Sequence, residues 1–134
     1  MRLWHQKLIQ FLPRQQLLGQ YRECCALRGA GWGRKHAVVN YVFTYSPDHL
    51  IAYHHLVMEE MERRGYHPDT KWYNCGWRGN KVLNQENWSS EYQVNCIKTF
   101  CRDNSAMIFK EHNESYLKEC LDNLLEKGIT IDFT

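Results

Sequence analysis

A carboxylate with a glycine one turn before it is the most chemically suggestive feature of this sequence. Gln16, Gly19 and Glu23 fall at i, i+3 and i+7, so on a helix they share one face. Glycine inside a helix is about 1 kcal/mol less favourable than alanine. A return for that cost is an open notch, through which a substrate could reach the Glu23 carboxylate as a general acid or base. Arg22 and Arg28 flank this face, and Glu23 is the only acid in the first 47 residues. The pattern alone also fits a surface glutamate paired with arginine.

Other constellations are weaker. Residues 66–88 interleave Trp72, Tyr73, Trp77 and Trp88 with Lys71, Arg78 and Lys81. Aromatic rings stack on exposed bases while cations hold phosphates; the same composition fits a loop pinned to the core by its rings. The glycine-rich run at 29–33 lacks the spacing of a phosphate loop. His54 and His55 are adjacent, so on a helix they diverge by about 100° and do not form a metal pair. Cys96, Cys101 and His112, with Cys75, make the one candidate metal or redox set. Their spacing matches no ordinary zinc pattern.

These residues need elements to hold them. Leu17, Leu18, Tyr21, Cys24 and Cys25 form an apolar stripe, with Pro13 at one end and Gly29 at the other, which predicts a helix between them. Ser46, Pro47 and Asp48 open a second helix whose stripe is Leu50, His54, Val57, Met58 and Met61; Arg63, Arg64 and Gly65 close it. Ser89 or Ser90 caps a third over 90–103, with Val94, Ile97, Phe100 and Cys101 inward. Asn113 caps a fourth running to Lys127, with Tyr116, Leu117, Cys120, Leu121, Leu124 and Leu125 as its stripe and Gly128 beyond it. The apolar residues of 1–12 are expected to pack into the core, and 37–43 fits either a strand or a buried helix. Residues 129–134 alternate, as a short strand or an extended arm would. The reading is a mostly α, compact helical single domain spanning 1–134, with an irregular aromatic-basic loop region.

Composition narrows the class. The 134 residues support one core. No apolar run approaches the ~18 residues of a membrane span, and the N-terminus lacks a secretory pattern, so a cytoplasmic protein with reduced thiols is expected. Net charge is +2 but uneven. Residues 1–36 carry seven cations against one acid, +6, and residues 111–134 two cations against six acids, −4. A basic N-terminal third suits an anionic partner such as a nucleic-acid backbone.

Met1-Arg2-Leu3-Trp4, the run Gln15-Gln16-Leu17-Leu18-Gly19-Gln20-Tyr21-Arg22-Glu23, Arg34-Lys35-His36, and a helix ending Glu62-Arg63-Arg64-Gly65-Tyr66 resemble the pyrimidine-dimer DNA glycosylases, which include the phage thymine-dimer endonucleases. The likeness covers about residues 1–70, and Lys71-Trp72-Tyr73 is similar to an aromatic-basic DNA-contacting segment of that family. It implies a helical fold without metal or organic cofactor, acting on double-stranded DNA with a damaged base or abasic site. It implies an N-terminal α-amine that attacks C1′ and forms a Schiff base, and a glutamate matching Glu23 that supports β-elimination. Arginines matching Arg2 and Arg22 would hold phosphates. Arg2 blocks removal of the preceding methionine, so the nucleophile becomes the amine of Met1, and Gln16 stands where the phage enzymes carry histidine. The expected DNA-binding set is Arg2, Gln16, Arg22, Arg28, Arg34, Lys35, His36, Lys71, Trp72 and Tyr73, with Met1 and Glu23 catalytic. The alternative is a non-catalytic nucleic-acid binder on the same scaffold.

Overall fold

A computed structural model describes residues 2–82 and 88–132; Met1, 83–87 and 133–134 lie outside the described residues. Four α-helices organise the chain: α1 (Arg14–Arg28), α2 (Pro47–Arg63), α3 (Glu91–Cys101) and α4 (Glu114–Glu126). A short 3-10 helix at Gln6–Phe11 precedes α1, one at Asn40–Thr44 lies between α1 and α2, and one at Thr70–Tyr73 lies between α2 and α3. The fold is mostly helical, and no strand occurs among the described residues. The ambiguous run at 37–43 leads into the 3-10 turn, and 129–132 carries no regular structure.

Helix α2 is the central element because its sequence is apolar around much of its circumference. Leu50, Ile51, Ala52, Tyr53, Val57, Met58 and Met61 are all buried, and α1 and α3 pack against it. Burying one such side chain stabilises by about 1.5–3 kcal/mol. Leu3, Trp4, Leu8, Ile9 and Leu12 join the same cluster, so the N-terminal segment is core, as its composition requires. Arg64 secures its far end: NH1 donates to the Leu12 carbonyl at 2.6 Å and Nε pairs with Glu60 at 2.6 Å.

The ends of the helices follow their caps. The Asn113 side chain accepts from the Tyr116 amide at 2.9 Å and Ser90 from the Gln93 amide at 3.3 Å. Gly65 and Gly128 end α2 and α4 with φ of +87° and +80°, the left-handed region that a Cβ disfavours. Ser46 precedes α2 without capping it; its hydroxyl turns instead to the His49 ring at 3.2 Å. Two inward assignments are corrected. Phe100 is 74% exposed and Leu125 61% exposed. Val94 and Cys101, seven residues apart, set the buried line of α3, and Cys120 and Leu124, four apart, that of α4. Phe100 and Leu125 each fall one residue off those lines.

Candidate active site

Helix α1 presents Glu23 half-buried beside the N-terminal segment. The Gln20 amide nitrogen donates to Glu23 Oε2 at 3.1 Å and to the Arg2 carbonyl at 3.1 Å. Burial raises the Glu23 pKa above the ordinary carboxylate value, opposed by the nearby Arg2 backbone, the Gln20 amide and the charge of Arg22. A carboxylate shifted in that direction is a better proton acceptor, suited to general acid–base work.

The space beside Gly19 is open. A Cβ built on Gly19 would meet only the tip of the Arg22 guanidinium, at 4.0 Å. Packing therefore does not require glycine there. Gln16 is half-exposed one turn earlier, and Arg22 is exposed beside it.

The segment that meets Glu23 is tied down along its length. Trp4 N–H donates to Gln20 Oε1 at 2.7 Å, and the Tyr53 hydroxyl donates to the Trp4 carbonyl at 2.5 Å. The Tyr116 hydroxyl, from α4, donates to the Leu3 carbonyl at 2.5 Å. Gln6 N–H donates to Nδ1 of His112, whose Nε2 meets the Tyr41 hydroxyl at 2.9 Å. His5 stacks on His112 with ring centroids 5.4 Å apart. Arg2 lies with its guanidinium 5.7 Å from the Trp4 ring and 3.6 Å from Glu119. Met1, the expected nucleophile, lies outside the described residues.

A groove of about 590 Å³ opens further along α1. Cys25, Ala26, Gly29, Gly31, Trp72, Arg34 and His36 line it, together with Arg78 and Lys81. Ala26 is three residues beyond Glu23, so the groove continues the helix face that carries the carboxylate. Its floor depends on glycine. A Cβ on Gly31 would stand 2.7 Å from the Ala26 carbonyl oxygen, where backbone meets backbone. Lys35 and Lys71 are exposed nearby in sequence. Lys71 places its ammonium 5.5 Å from the Trp77 ring, while Tyr73 packs its ring 5.2 Å from His55. Sequence reasoning had placed Arg78 and Lys81 in the loop without assigning them to the site.

Arg28 corrects the expected DNA-binding set. It is 0% exposed, and its guanidinium donates to the carbonyls of Trp72 (2.6 Å), Asn74 (3.0 Å) and Trp77 (3.0 Å). Arg28 NH1 lies 3.1 Å from Nδ1 of His54. Burial pulls its pKa down to about 10. Its position explains this: it follows Leu17 by eleven residues and Cys24 by four, on the buried stripe of α1. Arg28 is the peg that holds the aromatic loop.

The candidate metal set does not converge. His112 is engaged by Gln6 and Tyr41, Cys96 is exposed, and Cys101 is buried. No group of three metal-binding side chains occurs among the described residues, and no helix there is long and apolar enough to cross a membrane. No curated protein and no solved structure matches the chain. The family model for pyrimidine dimer DNA glycosylases matches residues 1–74, more than half of the chain and all of α1 and α2. The chain belongs to the pyrimidine dimer DNA glycosylase family.

Proposed function

We propose that this protein is a DNA glycosylase with abasic-site lyase activity, acting on pyrimidine dimers through the α-amine of Met1 and the carboxylate of Glu23. The observation that supports the reading is the Gln20 side chain, whose Nε2 donates both to Glu23 Oε2 and to the Arg2 carbonyl, each at 3.1 Å, and so ties the Arg2 backbone to the carboxylate. One residue of chain spans at most ~3.6 Å, so chain connectivity limits how far a preceding amine can stray from the Arg2 backbone. An α-amine has an ordinary pKa near ~8, so much of it is neutral and nucleophilic at neutral pH.

The chemistry then runs in two stages. The amine nitrogen bonds to C1′ as the glycosidic bond breaks, and the base takes the bonding electron pair and the proton that the amine loses, staying joined to its neighbour through the cyclobutane ring of the dimer. Ring opening breaks the C1′–O4′ bond: O4′ leaves with that electron pair and takes a proton from solvent, and C1′ is left as a protonated imine with the terminal nitrogen. That cation acidifies C2′, whose proton Glu23 takes up. The electron pair left on C2′ forms the C2′–C3′ double bond and expels the 3′ phosphate, which nicks the strand. Hydrolysis of the imine releases the sugar fragment and restores the amine.

Extruding a base costs a few kcal/mol. Phosphate contacts from Arg22, Arg34, Lys35 and Lys81, with the aromatic loop at Trp72, offset that cost. The test is nicking of ultraviolet-irradiated duplex DNA by the wild type and by Glu23→Gln. The wild type is expected to nick at dimers, and the variant to bind the same DNA without nicking. Salt-sensitive binding by the wild type without nicking would instead favour the non-catalytic reading.

A further inference from the structure

Gln20 is buried and neutral, yet it touches both halves of the proposed chemistry. Its Nε2 donates to Glu23 Oε2 at 3.1 Å and to the Arg2 carbonyl at 3.1 Å. Its Oε1 accepts from the Trp4 N–H at 2.7 Å and from the Tyr53 hydroxyl at 3.1 Å. A primary amide has two N–H donors and two acceptor lone pairs, so every one is occupied. Gln20 precedes Glu23 by three residues on the same helix, so α1 fixes the spacing between them. The N-terminal segment is linked to the carboxylate through this side chain.

We propose that Gln20 is a positioning residue for this reaction: it holds the first residues of the chain in register with Glu23 and orients the Glu23 carboxylate through its amide N–H. The inference rests on the reading of Glu23 and the terminal amine as the catalytic pair. No residue of other chemistry fills the role. Glutamate keeps the length and the acceptors but loses both donors, and it sets a second negative charge beside Glu23. Methionine keeps the length and loses all four bonds. The groups facing Glu23 besides Gln20 are, among the described residues, Arg22 on its own helix and the Arg2 backbone. In Gln20→Glu these would have to serve two carboxylates.

The test compares wild type, Gln20→Glu and Gln20→Met in three measurements. These are DNA affinity, single-turnover nicking of a preformed abasic site from about pH 5 to 9, and NMR titration of the Glu23 carboxyl carbon. Gln20→Glu is expected to bind DNA within about twofold of wild type, because the Gln20 side chain meets Arg2 only at its backbone carbonyl and touches no cationic side chain. Its nicking is expected to fall roughly tenfold or more through misplacement of the reacting groups. The acid limb of its pH profile and the Glu23 titration should both move up by about one pH unit. In the wild type, a Gln20 side-chain amide proton should shift in step with Glu23, a readout that needs no variant to fold. Two results would overturn the proposal: a Gln20 resonance indifferent to Glu23, or a Gln20→Glu profile with an unmoved acid limb and a rate reduced only by the unfolded fraction. A wild type that binds without nicking overturns the catalytic reading alone. The NMR coupling then still decides whether Gln20 orients Glu23.

Discussion

Arg28 NH1 and Nδ1 of His54 lie 3.1 Å apart in the interior, so the always-charged guanidinium donates and the imidazole must accept. A second arginine answers the first. Arg78 Nε donates to the Arg28 carbonyl at 2.8 Å and its NH2 to the Gly29 carbonyl at 3.1 Å, satisfying the open end of α1. Helix and loop thus hold each other by exchanged arginines. Removing the Arg28 guanidinium leaves three loop carbonyls and His54 without their donor. Arg28→Met is expected to cost about 2–5 kcal/mol. Urea unfolding followed by tryptophan fluorescence checks this, and a loss below about 1 kcal/mol would contradict the peg role.

The buried histidines predict how stability responds to acid. Burial lowers the pKa of His54, and it lowers His55 and His112 to about 3 each. A histidine depressed in the folded state contributes stability that is complete above its unfolded value near 6.5 and is lost as pH falls toward the folded value. Between pH 7 and 5 the unfolded chain takes up protons that the folded one refuses. His112 alone should lose on the order of 2 kcal/mol over that range. Chemical denaturation at the two pH values measures it. Equal stability at both would show that these rings accept protons while folded. His112→Gln should flatten part of the slope.

Much of the frame was legible because helix ends carry local signals. The Asn113 and Ser90 caps and the glycines at 65 and 128 each act within a turn of their own position. The open position at Gly19 was legible for the same reason. Arg28 was read as a surface cation although the stripe of α1 passes through it; charge overrode position. Gln20 and Tyr116 could not be read as they stand. Their partners are Trp4, 16 residues away, and Leu3, 113 residues away. Only the folded chain brings those pairs together.

Gly19 separates stability from activity. Its Cβ position is open, so Gly19→Ala should stabilise the fold by about 0.5–1 kcal/mol through helix propensity and a less free unfolded chain. A methyl group there narrows the approach to Glu23. Nicking is expected to fall severalfold while the thermal midpoint rises. A variant both more stable and fully active would show that substrate does not use the notch.

The groove predicts a salt signature. Arg34 and Lys81 line it and are exposed. If each neutralises one phosphate, Arg34→Ala and Lys81→Ala should each reduce the slope of log affinity against log salt by about 1, whatever the sequence of the duplex. Fluorescence anisotropy at several salt concentrations measures it. An unchanged slope in both variants would remove the groove from the DNA path.

The central claim is that the chain's terminal nitrogen is the nucleophile beside Glu23. The direct test is borohydride reduction during reaction with abasic-site DNA, followed by mass spectrometry of the proteolysed adduct. The account predicts a reduced sugar on the α-nitrogen of the N-terminal peptide, and no adduct when that amine is acetylated. An adduct on a lysine side chain, or trapping undiminished by acetylation, would contradict it.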